Sequence, residues 1–595
     1  MKKNFSLLFT TVFILCNLAT FATNYFVSST GSNTNNGTTL TTPFLTIQKA
    51  LDVSTAGSIS AVRTGTYKER LYWANSGTTA LPITLTNYNG ELVYLDGGTG
   101  GTNTAQNGMI EMSNISYIRI NGLQIKNNYR NNAEGIYIVG AGNDLQITNC
   151  KIFNLGWTTN AATIPTATKN ANAILFIGSS ATAYSNIYIG FNELYNCITG
   201  YSEVMSMNGN IDNFLIEGNS VHDNTNIGID MAGFYSWTGA PANVNQARNG
   251  NVINNSVYRC VSKVATSAGI YVDGGKWINI QGNRTYENGY GIEVGCENNN
   301  GTVEGVNVRN NFVYNNKEAG IGIGAVGSNS VVQNSSVTGN TLYKNFSVGG
   351  YGGDIVLQKT NSVSLRGNII HSRSNVVVIA GAGYPSTNLN MDYNLYYTLS
   401  GTANTITFDW GGINGQGYYS LASFKTATGL DAHAIYFNPT FVNGTLPSPD
   451  LHITSTSKAI NSGDPAYVVQ LDEFDIDAQA RKQSTRVDIG ADETAFTNAP
   501  SSKPAVANTV AASVLHTSVS IYPNPVSDKL IITAAFSCKE KTVIIYNGKG
   551  QLLLTKKLTA DISYIDISAL KLSKQVLLVK IVSDIETVTK KIIIQ

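Results

Sequence analysis

Charge is scarce in this 595-residue chain: Asp, Glu, Lys and Arg together make up 13 %. Proline is scarce too, at 13 residues. Disordered chains are rich in charge or proline and poor in aromatics, so 31 Tyr and 20 Phe exclude disorder as the main state. Cysteine gives no framework. Cys16 falls in the apolar N-terminal stretch, and Cys150, Cys197, Cys260, Cys296 and Cys538 are odd in number and scattered, which fits neither a disulfide scaffold nor a zinc spacing. They read as small core residues. After the first 22 residues no apolar run approaches 18, which excludes a helical membrane span. A basic footprint is also missing. Residues 23–515 hold 26 Lys and Arg against 32 Asp and Glu, a poor scaffold for nucleic acid.

What the chain has is 57 glycines with many Asn, Ser, Thr, Val and Ile, a composition of short strands and frequent turns. Lys2-Lys3, the apolar stretch from Phe5 to Leu18 and Thr20-Phe21-Ala22 read as a secretory leader, residues 1–22. From about residue 145 a repeat governs the text: apolar, any, Gly or Asn, Asn, any, apolar. It is seen at Ile216-Glu217-Gly218-Asn219-Ser220-Val221 and Ile280-Gln281-Gly282-Asn283-Arg284-Thr285. The aligned asparagines are Asn192, Asn219, Asn255, Asn283, Asn311, Asn340, Asn368 and Asn394, spaced 27, 36, 28, 28, 29, 28 and 26 residues, with Cys150 in the same slot one turn earlier. A period near 28 with alternating apolar positions predicts short strands, each followed by a turn, in coils stacked about 4.8 Å apart. Asn in one slot of every coil predicts a ladder of amide hydrogen bonds. A propeller needs longer repeats with signatures of their own. The fold class is therefore all-β, a parallel β-helix over residues 23–495.

Tyr25-Phe26-Val27, Thr46 to Leu51 and Gly65-Thr66-Tyr67 read strand, short helix, strand, the helix covering the open first coil. This segment resembles the N-terminal cap of secreted right-handed β-helix enzymes that act on polysaccharides. Ala459-Ile460-Asn461-Ser462-Gly463-Asp464 and Asp488-Ile489-Gly490-Ala491-Asp492-Glu493 resemble the closing segment of that group. The resemblance implies a right-handed coil and a polysaccharide substrate. Residues 496–515 read as a linker. Residues 516–595 carry 11 Lys against 6 acids, opening on Ser520-Ile521-Tyr522-Pro523-Asn524-Pro525 and ending in Lys590-Lys591-Ile592-Ile593-Ile594-Gln595. They resemble the C-terminal sorting domain of the type IX secretion route, which implies that machinery as a partner, a small β-sandwich-like fold, and release outside the cell or attachment to its surface. The protein is expected to be a monomer.

Side chains that point out of a β-helix carry its chemistry. In successive repeats Met205-Ser206-Met207-Asn208, Ile229-Asp230-Met231-Ala232, Ile270-Tyr271-Val272-Asp273, Ile292-Glu293-Val294-Gly295 and Ile321-Gly322-Ile323-Gly324 align. Apolar residues point inward, so Asp230, Tyr271 and Glu293 share one outward column, while Asn208 and Asp273 share the other. Paired carboxyls are the equipment of an inverting glycosidase, one protonating the leaving oxygen and one activating water. Asp230, Asp273 and Glu293 are the candidate catalytic residues, with Glu203 and Glu297 flanking them. Gly322 and Gly324 are expected to leave open space beside them. Trp157, Asn208, Tyr235, Trp237, Tyr271, Lys276 and Glu297 are the candidate substrate-binding residues, the aromatics suiting the C–H faces of sugar rings. Solvated acids on an exposed sheet are the plain alternative.

A lyase acting on a uronate would need a base from Lys276, Lys263, Arg248, Arg284 or Tyr271 and Ca²⁺ on the acids. The hydrolase reading needs no cofactor or metal. The Asn-Ala-Asp-Gly and Gly-His-Gly segments of pectate lyases and polygalacturonases are absent. A non-catalytic glycan-binding rod would need the aromatic loops alone. His222, His371, His433, His452 and His516 show no metal or triad spacing.

Overall fold

The computed structural model describes residues 23–98, 106–348, 352–381, 385–411, 415–470, 472–494, 519–522, 529–534, 541–547, 552–558, 562–570, 576–583 and 587–593. The leader at 1–22, the linker at 496–515, Pro523-Asn524-Pro525, Cys538 and His516 lie outside them. The chain divides into two compact units at Thr497/Asn498.

The first unit is a right-handed parallel β-helix with three faces, each a 13-stranded sheet. The first sheet runs from Asn24–Val27 to Asn390–Asp392, the second from Leu71–Trp73 to Gln416–Tyr418, and the third from Gly65–Tyr67 to Ile435–Tyr436. Every pairing within them is parallel and one coil apart, apart from the closing antiparallel Gln416–Tyr418. Inward side chains form one continuous core from Val27 to Ala434.

A corner of the coil explains the repeat. The residue before each ladder position takes a left-handed backbone, as at Gly218 (φ 64°), Asn254 (φ 56°), Gly282 (φ 67°) and Asn310 (φ 54°). Gly and Asn tolerate that conformation best, hence the Gly/Asn-Asn pairs. The following Asn turns inward and is buried. Asn283 Oδ1 accepts from Asn255 N (2.9 Å) and Asn255 Nδ2 (3.0 Å), while Asn283 Nδ2 donates to Asn311 Oδ1 (3.0 Å) and Val252 O (2.9 Å). The same bonds run from Asn192 to Asn394, Cys150 N reaches Asn192 Oδ1, and Asp431 Oδ1 accepts from Asn394 at the end. Each buried amide is thereby satisfied by its neighbours.

Two further stacks carry no such plain signature in the sequence. A second ladder joins Asn288, Asn316 and Asn345 to Asp354, with Cys197 N and Cys260 N bonded to Asn224 and Asn288. On the third sheet, Phe153, Tyr195, His222, Tyr258, Tyr286 and Tyr314 stack face to face at 4.6–5.3 Å.

The first coil is closed as expected, and the last by a helix not expected from the sequence. Thr46 caps the helix Ile47–Val53 by accepting from Lys49 N, and its Ile47, Ala50 and Leu51 cover the first coil. At the other end the helix Leu421–Thr428 sets Phe424 against Phe408 at 4.0 Å and Trp410 at 4.8 Å. The chain then turns back along the rod, where Ala459 and Ile489 pack with Ile369 and Leu395. In the second unit the strands are antiparallel. Val519–Tyr522, Lys529–Ala534 and Ile562–Asp566 form one sheet, and Leu552–Leu558, Lys541–Asn547, Val576–Ser583 and Thr587–Ile593 form another.

Candidate functional site

On the second sheet the strands Met205–Gly209, Ile229–Ala232, Ala268–Asp273, Tyr290–Cys296 and Ala319–Ala325 pair in the expected register. Ser206 pairs with Asp230, Asp230 with Tyr271, Tyr271 with Glu293, and Glu293 with Gly322. Ala232 pairs with Asp273, and Asp273 with Gly295. The inward residues Met205, Met231, Ile270, Val272, Ile292 and Val294 are fully buried, which fixes the register, since a slip of one residue would turn the acids into the core.

These outward acids are not the solvated side chains that alternation predicts. Asp230 and Asp273 are each 4 % exposed and Tyr271 is 5 % exposed. Two loops supply the cover. The loop after Ala232 is fastened to itself by Phe234 N to Asn245 O (2.7 Å), Thr238 Oγ1 to Tyr235 O (2.9 Å) and Asn245 Nδ2 to Tyr235 O (2.9 Å). So held, Tyr235 donates its hydroxyl in a short hydrogen bond to Asp273 Oδ2. Trp237 stands beside it, ring centroids 6.1 Å apart, and is 59 % exposed. The other loop follows Cys296. Its Glu297 N donates to Asp273 Oδ1 (3.1 Å), and Glu297 Oε1 accepts from Tyr271 Oη (3.4 Å). Asn298 Nδ2 ties the two loops through Gly233 O (3.3 Å).

Asp230 is less well served. Ser206 Oγ donates to its Oδ2 at 3.4 Å, and Asn208 Nδ2 donates to Ser206 Oγ at 2.7 Å, but Asp230 Oδ1 is buried with no hydrogen-bond partner. Burial and the neighbouring acids Glu203, Asp273 and Glu297 hold the Asp230 carboxyl well above the usual range. Burial, then the charge of Glu297, push Asp273 up to about 7 against the pull of its hydrogen bonds. Burial and the charges of Glu297 and Asp273 bring Glu293 to about 8, and burial brings Glu203 to about 7. The site is thus a group of acids with raised pKa beside the exposed Glu297.

Not every expected residue joins it. Lys276 opens the strand Lys276–Gln281 on the first sheet, pairs with Arg248, and sets its ammonium 4.5 Å over the Trp277 ring. The Gly274-Gly275 corner carries it off the Asp273 face. Arg248 is likewise on the first sheet, bonded to Asn210 and Asp212, and Arg284 is on the third, by Asp477. Trp157 follows the third-sheet strand Lys151–Gly156 and packs at the Gly200 corner. The space expected over Gly322 is filled, since a Cβ there would lie 2.6 Å from the Tyr290 ring, and Gly324 sits against the Gln358 backbone.

A second constellation had no signal in the spacing. His452, Asp477 and Asp492 place donor atoms within 4.8 Å of one another, and could together hold a metal ion. Burial would lower the His452 pKa, yet hydrogen bonds to Asp477 and Asp450 and the charge of Asp492 raise it to about 9. In its protonated form the His452 ring pairs with Asp450 through Nδ1 and with Asp477 through Nε2 (3.0 Å).

Fold and C-terminal module define the class, an exported parallel β-helix protein: residues 520–595 match the secretion system C-terminal sorting domain, which places the protein outside the cell or on its surface. Among the described residues no helix is long and apolar enough to cross a membrane. The chain belongs to the family of the uncharacterized protein YwoF of Bacillus subtilis (strain 168), being 31 % identical over 432 residues, 70 % of this chain and 88 % of that protein. A stretch of 137 residues, 21 % of this chain, is 31 % identical to pectate lyase PEL9 of Emericella nidulans and covers 32 % of it. Similar solved structures include pectate lyase Pel9A (TM-score 0.43, 15 % identity, 79 % of this chain and 96 % of that one) and the complex of XylC with xylose (TM-score 0.39, 11 % identity, 91 % and 100 %).

Proposed function

We propose that the protein is a polysaccharide-degrading enzyme and that its second sheet hydrolyses a glycosidic bond. The observation that carries this reading is the pairing of Asp273, buried and with its carboxyl raised to about 7, with the exposed Glu297 whose amide bonds it. Asp273 would donate its proton to the leaving oxygen, which requires a carboxyl protonated at the working pH. Glu297 would supply the carboxylate that activates water or attacks the anomeric carbon. Asp230 and Glu293, in the column beside Asp273, would act as partner acids that keep the proton in the site. Tyr235 orients Asp273, Tyr271 orients Glu297, and Trp237 offers an exposed ring for a sugar face.

A lyase acting on a uronate glycan is the second reading, favoured by the stretch similar to pectate lyase PEL9. The donors suit a hard cation such as Ca²⁺: all are carboxyl oxygens, and Asp230 Oδ1 is buried and unpartnered. Asp230, Asp273 and Glu297 would hold it, and it would supply charge neutralisation of the substrate carboxylate. Lys263, exposed in the bend before Ala268–Asp273, and Tyr235 and Tyr271 then remain as bases, and burial with nearby carboxylates pushes both tyrosine hydroxyls up, away from that role.

The test is incubation of the protein with a polysaccharide panel, following reducing ends and ultraviolet-absorbing unsaturated ends, with Asp273→Asn alongside. New reducing ends without absorbance, lost in the variant, are expected. Absorbance that depends on Ca²⁺ would make the enzyme a lyase. Retention of a glycan with neither signal would leave a binding rod.

A further inference from the structure

The outward column that contains Asp230 continues toward the N-terminus: Ser206 pairs with Leu175, Leu175 with Tyr137, and Tyr137 with Glu111. At that end the chemistry changes. Glu134 is 6 % exposed, and its Oε2 is buried with no hydrogen-bond partner. Beside it Arg70 donates to Gly108 O (3.2 Å), Asn107 O (3.4 Å) and Asn128 Oδ1 (2.8 Å), all neutral acceptors, and its buried Nε donates to nothing. Arg130 donates to Gln106 O (2.7 Å), and its charge acts on Glu134 together with that of Arg70.

One carboxyl oxygen of Glu134 and the Nε of Arg70 are thus both buried and unpartnered, and the two neighbouring groups do not bond each other. Unsatisfied buried polar groups are rare and call for an occupant. We propose that Arg70, Arg130 and Glu134 form a second pocket of the groove, which binds the carboxylate of an acidic sugar three to four units from the bond cut at Asp273. A planar carboxylate would accept from Arg70 Nε on one oxygen and from the neutral carboxyl of Glu134 on the other. The spacing follows from the sheet. Glu111 and Asp230 are four strands apart, about 19 Å at about 4.8 Å per strand, and each strand step is close to the length of one sugar along an extended glycan. The groove would then be polar along its length, an acidic centre that repels a carboxylate and a distal pocket that attracts one. The substrate class is a mixed glycan, neutral at the scissile bond and acidic further along. This inference rests on the proposed reading of the Asp273 site as a glycan-cleaving centre.

The groups facing Glu134 are Glu111, Tyr137, Arg70 and Arg130. Burial, then the charge of Glu111, holds its carboxyl at about 8, so it donates below that pH and repels an anion above it.

The test uses the full chain carrying Asp273→Asn, titrated calorimetrically with a galacturonate trisaccharide and with its carboxyl-reduced counterpart. The acidic sugar is expected to bind about tenfold tighter, and Arg70→Met to erase the difference. Glu134→Gln keeps a neutral donor. It should leave binding at pH 6 unchanged and remove the weakening, about fivefold or more, that the parent shows between pH 7 and 9. Unfolding curves check that both variants fold, and Glu134→Gln decides the matter if Arg70→Met does not. Equal affinities, a preference that survives Arg70→Met, or no binding of either sugar would overturn the pocket. Cleavage by the unsubstituted protein is scored separately. An Arg70-dependent preference in a protein that cleaves nothing would keep the pocket and sink the catalytic assignment.

Discussion

Two of the polar stacks in the rod are treated oppositely by burial. In the ladder from Asn192 to Asn394 each amide both gives and accepts, so every added coil satisfies the one before it. On the second sheet Asp230, Asp273 and Glu293 lie on successive strands but, when ionised, only accept, and burial beside other acids raises the pKa of each. A stack of amides needs no outside partner. A stack of acids needs protons, a cation or a substrate, and that asymmetry is the physical ground for proposing the second sheet as the active face.

The comparison can be broken most sharply at Asp273. Asp273→Asn should lower glycan cleavage by about 10²–10⁴-fold, the range for loss of a general acid, without loss of folded protein. Next comes the ladder. Asn283→Ala strands two donors of Asn255 and removes the amide donor to Val252 O, while Asn311 Oδ1 keeps its bond from Asn283 N, at about 1–3 kcal/mol for a buried unsatisfied group. Chemical denaturation should show a loss of about 3–5 kcal/mol, the upper end for a point substitution.

The same Asp273→Asn variant should then gain stability, in a pH-dependent way. With its carboxyl raised from an ordinary 3.8 to about 7, the folded protein binds more protons than the unfolded chain between those values. Stability is therefore lost as pH rises through that window and is not recovered above it. Each pH unit between the two values is worth about 1.4 kcal/mol, so the variant should melt higher than the parent at pH 8, with no such advantage at pH 4. A melting difference independent of pH would show that the cost of ionising the buried Asp273 carboxyl, from burial first and Glu297 second, is not its cause. The smallest effect belongs to Tyr235→Phe. The tyrosine hydroxyl stabilises ionised Asp273, so its removal should move the alkaline limb of the pH–rate profile up by a fraction of a unit.

The rod and its register are legible in the sequence because the signal is redundant. A residue type recurring in one slot every 28 or so positions fixes the coil, and alternation then assigns Asp230, Tyr271, Glu293 and Asp273 to their columns. The second ladder is hidden because Cys197 and Cys260 stand where Asn would reveal it. Burial of the acids is hidden because the cover comes from loops, whose hydrogen bonds lie outside any period. Glu203 and Glu297 sit at strand ends, where alternation no longer says which way a side chain points. Lys276 illustrates the reverse error: three residues from Asp273 in sequence, it lies around a two-glycine corner on another face.

The interval of 36 between Asn219 and Asn255, against 28 or so elsewhere, has a consequence of its own. The surplus residues are the loop that delivers Tyr235 and Trp237, and they leave between two ladder rungs that still bond at 2.9 Å. Lengthening a loop adds little to the entropy of closing it. A molecule built this way is a socket board. New loops can be plugged in at any corner, and chemistry acquired or exchanged, without renegotiating the frame that holds them.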